Sequence, residues 1–227
     1  MSYSQHDPYV AGLLDDASEL PAADRAYRYL KQQITHGHLS DNDMISEGDI
    51  GKVLSLSRTP VREAFLRLET EGFLRLYPKR GALIVPLGAE DIRDIYESRY
   101  LIEAHSAQKV AQLQSAQRTA IVAALEATIE KQEEALSRER LDLYTDFDAE
   151  FHQHIMKAAG NEILAHLYNS LRDKQARITS RIVTRNADNA QVFVQGHKQL
   201  TLAIRDGNSD TYQQVLSEHL ATSQHQF

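Results

Sequence analysis

The sequence contains no cysteine, and its five prolines all precede residue 87. Without cysteine there is no disulfide, no thiolate metal ligand and no thiol nucleophile, so any metal must be held by imidazole or oxygen donors. No apolar run approaches the roughly 18 residues that a membrane span requires, so no membrane partner is expected. The opening "MSYSQHDPYVAGLLDDASEL" lacks the basic region and apolar core of a secretory signal, and a cytoplasmic location is expected. What remains is an ordinary folding composition. With 227 residues, 42% hydrophobic and 25% charged, the chain can bury one large core or two smaller ones and is not disordered.

Basic charge is scarce overall, at a formal net of −7, yet it is concentrated. Residues 52–80 carry seven basic side chains (Lys52, Arg58, Arg62, Arg67, Arg75, Lys79, Arg80) against three acidic ones (Glu63, Glu69, Glu71), a local balance of +4 that leaves −11 for the rest. A cationic island on an acidic protein suggests one face that meets a polyanion, whereas a solvated helix face with chance clustering is the plainer alternative.

After a polar tail over residues 1–20, "PAADRAYRYLKQQITHGHL" places Ala26, Tyr29, Leu30 and Ile34 on one helical stripe, with Gly37 as a stop. Ser46 is a suitable N-cap for a short second helix carrying Ile50, Val53 and Leu54. Ser57 is a suitable cap for a third, in which Val61, Ala64, Phe65 and Leu68 share a face that ends near Gly72. "FLRLYP" and "GALIVPL" around "KR" read as a hairpin. Three helices and a hairpin over residues 21–86 describe a winged helix-turn-helix, a DNA-binding domain. In such a domain the third helix enters the major groove by its N-terminus. Arg58 and Arg62, four residues apart, suit guanine edges or phosphates. Ser57 and Thr59 suit phosphate oxygens, and Lys79 and Arg80 beside Gly81 suit a wing that reaches the backbone or the minor groove.

From Leu87 onward the absence of proline permits long helices. Amphipathic stretches at about 89–112, 116–136, 141–159, 161–184, 190–206 and 209–224 are separated by breaks such as "AGNE" and "DGNSD", which implies an all-helical bundle over residues 87–227. In "LDLYTDFDAEFHQHIMKAAG", Asp148 and His152 fall one turn apart inside the apolar stripe of Tyr144, Phe147, Phe151 and Ile155. His197 lies within the stripe of Phe193, Leu200 and Ile204, and His219 within that of Tyr212, Val215 and Leu216. Four polar groups on inward faces need partners. Either they are hydrogen-bonded core residues or they hold one metal. Imidazole with carboxylate suits zinc, nickel, iron or manganese. Arg99 interrupts the stripe of Ile92, Ile95, Tyr96 and Ile102, where it either pairs with Glu103 one turn on or receives an anion.

The stretch "SRTPVREAFLRLETEGFLRLYPKRGALIV" resembles the DNA-reading half of the GntR superfamily of bacterial transcription regulators, and the helical remainder resembles the FCD ligand-binding domain of its FadR-type branch. The resemblance spans about residues 22–224 and implies operator contacts by Arg58, Thr59 and Arg62, with the wing around Arg80 and Gly81. It implies one divalent metal per chain, zinc first, on Asp148, His152, His197 and His219. Further implications are an effector site at Arg99 for a small carboxylate such as lactate, and a homodimer that acts as a repressor on palindromic operator DNA. The second helix departs from the family pattern Ser-Glu-Arg-x-Leu-Ala: here it reads "SEGDIG", so the arginine contact expected at position 48 must be missing or supplied from elsewhere. Gly48 and Gly51 should each weaken that helix by roughly 1 kcal/mol relative to alanine. The alternative function is a metalloenzyme acting on a small organic acid. Its natural base, Glu150, points about 160° away from Asp148 and His152 at roughly 100° per residue, so no catalytic residue is assigned.

Overall fold

The computed structural model describes residues 20–227, so the polar tail lies outside the described residues apart from Leu20. The chain divides after Leu87 into two compact units. The first runs α1 (Ala22–Thr35), β1 (Met44–Ile45), α2 (Glu47–Leu54), α3 (Arg58–Thr70), β2 (Leu74–Tyr77) and β3 (Gly81–Ile84). The second is helical throughout: α4 (Ala89–Ala111), α5 (Ser115–Ser137), α6 (Leu141–Ala158), α7 (Glu162–Arg185), α8 (Asp188–Asp206) and α9 (Ser209–Gln226). Among the described residues, no helix is long and apolar enough to cross a membrane.

In the first unit the apolar stripes of α1, α2 and α3 meet in one core, with Leu30, Ile34, Ile50, Val61, Phe65 and Leu68 fully or almost fully buried. Polar pins on the rim fix α3 against α1. Arg67 pairs with Asp24 at 2.6 Å and lays its guanidinium 3.9 Å over the Tyr27 ring, while Lys31 and the Tyr27 hydroxyl both reach Glu71 at 2.7 Å. Ser46 caps α2 by accepting the Asp49 N–H. Ser57 stands at the N-cap of α3 but makes no capping bond, so its hydroxyl remains on the surface.

The sheet is larger than the hairpin read from sequence. A third strand, β1, pairs antiparallel with β3, giving the order β1-β3-β2, with Met44 opposite Leu83 and Ile45 opposite Ala82. Two residues are too few to show the period-2 alternation that marks a strand. The cost of this strand falls on Gly81, which has φ +103° and whose missing Cβ would overlap the Ile45 carbonyl oxygen. The wing tip is a turn in which Arg80 N–H donates to Tyr77 O at 3.0 Å, Pro78 follows Tyr77, and Lys79 takes the left-handed conformation at φ +63°. Glu69 of α3 accepts the Leu76 N–H at 2.8 Å and so fastens the wing to the third helix.

In the second unit the breaks seen in sequence have a shared construction. Gly160 and Gly207 are left-handed, and the asparagine after each caps the next helix, Asn161 accepting from Leu164 N–H and Asn208 from Thr211 N–H.

The two glycines of α2 separate by environment. A Cβ on Gly48 would meet nothing closer than 3.8 Å, whereas one on Gly51 would lie 2.8 Å from the Leu56 carbonyl oxygen, which belongs to the tight turn into α3. Gly48→Ala is therefore expected to raise stability by about 0.5–1 kcal/mol, and Gly51→Ala to lower it by about 1–3 kcal/mol, as read by urea unfolding.

Candidate functional site

Two sites were read from the sequence, one in each unit. On the first unit, Ser57, Arg58, Thr59 and Arg62 are all exposed at the start of α3, and Lys79 and Arg80 are exposed at the wing tip. Arg58, Arg62, Lys79, Arg80 and Gly81 line one cleft of about 710 Å³, together with Glu47, Gly48 and Glu69. Gly81 contributes backbone to it and is needed there for the approach of β1. The structure thus brings the third helix and the wing to one basic concavity. Helix N-terminal amides and arginines facing a groove can bind phosphates and base edges.

In the second unit, His152 from α6, His197 from α8 and His219 from α9 converge, with one donor nitrogen from each within 4.8 Å of the others. The rings stand 4.9–5.5 Å apart centre to centre. Asp148, one turn before His152, is buried beside them, with Oδ1 3.5 Å from His197 Nε2 and Oδ2 at 3.4 Å from both Gln175 and Thr179. Phe151 stacks on His197 at 4.3 Å and closes that side with an apolar ring.

The hydrogen bonds around the imidazoles decide where their protons sit. Gln132 Nε2 donates to Phe147 O at 3.1 Å, so its Oε1 must be the atom facing His197 Nδ1 at 2.9 Å, and Nδ1 carries the proton. His152 Nδ1 faces the Glu103 carboxylate at 2.8 Å, which can only accept, so it too is protonated there. The two Nε2 atoms then point at one another across 3.3 Å. Two nitrogen lone pairs at that distance repel unless a positive charge, a metal ion or a shared proton, lies between them. A separation of 3.3 Å is also close to what two bonds of about 2.0–2.1 Å to one ion subtend. The residues present therefore fit a divalent metal. Neutral imidazole is the ligating form, and burial drives both remaining histidines toward it. Burial holds the His197 pKa well below its usual value, with His219, His152 and Arg99 adding to it. His219 is pushed down to about 3 by burial, then by His152 and Arg99.

Arg99 is buried, as its place in the stripe predicted, and donates through Nε to Glu103 Oε1 at 2.9 Å. The pairing with Glu103 thus forms, and it leaves the guanidinium incompletely used, because Nη2 is buried with no hydrogen-bond partner. Glu103 also accepts from the Tyr168 hydroxyl at 2.9 Å. Burial would raise its pKa, but His152 and Arg99 outweigh that and hold it well below the usual carboxylate range. Asp148 differs: burial raises its pKa against the smaller opposing pulls of His152 and Arg99.

Residues 22–84 match the model of the bacterial regulatory proteins of the gntR family, and residues 94–222 match that of the FCD domain. This chain belongs to the GntR family. Among its relatives, an uncharacterized HTH-type transcriptional regulator in the TAR-I ttuE-ttuC' intergenic region of Agrobacterium vitis is 30% identical over 145 residues, covering 64% of this chain and 85% of that protein. The gluconate operon transcriptional repressor of Bacillus subtilis is 26% identical over 180 residues, covering 74% and 72%. The solved structure of McbR/YncC from Escherichia coli shares the fold, with a TM-score of 0.75 at 19% identity over 89% of this chain and 94% of that one. The protein is a GntR-family transcriptional regulator with a helix-turn-helix and an FCD domain, not an enzyme, since both matched families and these relatives are regulators. The metalloenzyme alternative also loses its base, because Glu150 is bound up with Lys131 at 3.3 Å and His154 at 3.4 Å, part-exposed on the outer side of α6.

Sequence reasoning missed the outer ring of this GntR-family site. Gln132 was not singled out, although it continues the buried stripe of Val122, Leu125 and Ile129 on α5 and is fully buried, the same signal that exposed Asp148. Glu103 was weighed only as a partner of Arg99, whereas it orients His152 as well. Tyr168, Gln175 and Thr179 carried no pattern beyond helical phase. One further residue is Gly196, whose missing Cβ would overlap the His219 ring, so a glycine lets α9 bring that imidazole to α8. Gly196→Ala should displace His219 and weaken metal binding by about 10–100-fold in a chelator competition. Its fold should hold, because alanine favours a helix interior over glycine by about 1 kcal/mol.

Proposed function

We propose that this chain is a metal-dependent, metabolite-responsive repressor that works in the cytoplasm as a homodimer on palindromic operator DNA. The observation that carries the reading is the pair of Nε2 atoms of His152 and His197 facing each other at 3.3 Å, with His152 joined through the Glu103 carboxylate to Arg99, whose Nη2 has no partner. Asp148, His152, His197 and His219 would hold one divalent ion, zinc first, with nickel, manganese and iron as alternatives. When bound, the ion supplies positive charge and Lewis acidity to an oxygen ligand. The protein's own part is to orient the imidazoles through Glu103 and Gln132 and to present Arg99 Nη2 to a small carboxylate, such as a 2-hydroxy acid like lactate. A hydroxy acid is in keeping with one relative's being named as the repressor of a gluconate operon, gluconate being a 2-hydroxy carboxylate.

On the DNA side, Ser57, Arg58, Thr59 and Arg62 would read the operator from the third helix, with Lys79, Arg80 and Gly81 on the wing. Two such helices about one helical turn apart suit a palindrome. An effector changes operator affinity only if it binds the DNA-competent and DNA-incompetent arrangements unequally.

Arg58→Ala is expected to lower operator affinity by about 10–100-fold and to relax sequence preference, whereas Lys79→Ala should weaken all sequences alike and reduce the salt slope by about one. Both are measurable by fluorescence anisotropy across a salt series. Equal binding of wild-type protein to operator and bulk DNA would overturn the regulator's assigned DNA face.

For the sensor, chelation should lower the melting temperature, and Arg99→Lys should keep the metal while losing the carboxylate-induced shift. If carboxylates stabilise the chelated and metal-loaded forms equally, the metal is a structural staple only.

A further inference from the structure

Of the seven cations between residues 52 and 80, Lys52 and Arg67 are paired with Asp49 and Asp24. Among the described residues the other five, Arg58, Arg62, Arg75, Lys79 and Arg80, have no ion-pair partner, and all five are exposed. Four of them line the cleft between the third helix and the wing. Arg75 does not, and the cleft leaves its charge unexplained.

The strand that carries Arg75 explains where it stands. β2 alternates, with Leu74 buried and Leu76 half-buried toward the core, so Arg75 and Tyr77 lie together on the outer face of the wing. Residues two apart on a strand stand about 7 Å from one another, close to the step between consecutive phosphates of one nucleic-acid strand. Tyr77 is the one exposed tyrosine among the described residues. Among those residues its hydroxyl makes no hydrogen bond, and its ring makes no aromatic or cation contact. Its cross-strand neighbour is Gly81, which offers the ring no side chain to pack on. The backbone, by contrast, is held. Leu76 N–H donates to Glu69 of α3 at 2.8 Å, the Tyr77 carbonyl accepts the Arg80 N–H at 3.0 Å, and Pro78 restricts Tyr77 to extended geometry. Two free side chains, one cationic and one bearing a hydroxyl, thus stand on a frame attached to the third helix, next to the cations of the wing tip.

We propose that the outer face of β2 is a second, sequence-independent contact surface for the sugar–phosphate backbone of operator DNA, with Arg75 neutralising one phosphate and the Tyr77 hydroxyl donating to the next. This rests on the DNA reading above and widens its footprint from one face of the wing to both. A polyanion is favoured over a protein partner because the face runs on into Lys79 and Arg80 and carries no carboxylate: its remaining residues, on β1 and β3, are Met44, Leu83 and Gly81. Through Glu69 the same contact sets how the third helix meets the groove.

The test uses the full-length protein and two labelled duplexes of equal length, one carrying the site that the protein selects from a random-sequence pool and one of scrambled sequence. Binding is read by fluorescence anisotropy across a salt series. Arg75→Gln should weaken binding to both duplexes about five- to tenfold and make the dependence of log affinity on log salt shallower by about 0.9, the share of one phosphate. Arg75→Lys should keep the wild-type slope. Tyr77→Phe should weaken binding to both about three- to tenfold at unchanged slope, since it removes a hydrogen bond and no charge. Neither Arg75→Gln nor Tyr77→Phe should move the melting temperature of the free protein. An unchanged slope in Arg75→Gln, with site preference intact, would overturn this inference and leave the DNA reading standing. A lowered melting temperature or an altered oligomeric state would overturn it too, by giving the face to the fold or to a protein contact. If no site were selected at all, the DNA reading would fail, and this inference with it.

Discussion

The carboxylate of Glu103 is the point on which the interior of the helical unit depends. It is completely buried and accepts three hydrogen bonds, from Arg99 Nε at 2.9 Å, from His152 Nδ1 at 2.8 Å and from the Tyr168 hydroxyl at 2.9 Å. A bare carboxylate there would cost several kcal/mol, and removing one partner of a buried pair costs more than the pair contributes. Because an ionised carboxylate can only accept, it dictates the proton position on every neighbour. It holds the His152 proton at Nδ1 and so turns the Nε2 lone pair toward His197. By taking Arg99 through Nε alone, it leaves Nη2 for something else. One residue thus couples the ligand set to the cation beside it.

The two units solve opposite problems. The core of the first is apolar, and its polar pins, Arg67 with Asp24 and Lys31 with Glu71, lie on the part-exposed rim, where screening keeps each worth about 1 kcal/mol or less. Its candidate chemistry lies outside, on α3 and the wing, as suits a ligand as large as duplex DNA. The second unit places charge inside, which suits a small ligand that can be surrounded. Such an interior gains specificity at the expense of stability, because buried polar groups must all be matched before they stop being a penalty.

Much of this was legible beforehand, and the misses have physical causes. The six helices of the second unit fall within two residues of their expected limits, since each has an apolar stripe and two of the breaks carry a Gly-Asn signal, at Gly160-Asn161 and Gly207-Asn208. His152, His197, His219 and Asp148 stood out because a polar residue inside an apolar stripe is anomalous, and the structure places all four in one buried neighbourhood. Strand β1 was invisible because two residues carry no period, and its pairing with β3 is a tertiary fact. The need for Gly81 follows from that pairing, so sequence could read it as part of a turn and no more. Gly196 is similar: its helix shows no break, and only the arrival of His219 from another helix reveals why a side chain is missing there.

The glycine at position 48 illustrates how a departure from the family pattern can be absorbed. Helix α2 offers the cleft beside the third helix no cation at all: its contributions there are Ser46 at the cap, Glu47 and Gly48. Arg58 occupies the space instead, with Nη2 only 3.8 Å from where a Cβ on Gly48 would stand. A long side chain at that position would compete with this placement of the guanidinium, and a cationic one would also repel it. The basic charge of the cleft consequently comes from α3 and the wing alone, through Arg58, Arg62, Lys79 and Arg80. Those two elements are the ones Glu69 ties together by accepting the Leu76 N–H, so the cations share one rigid frame while α2 serves as their support.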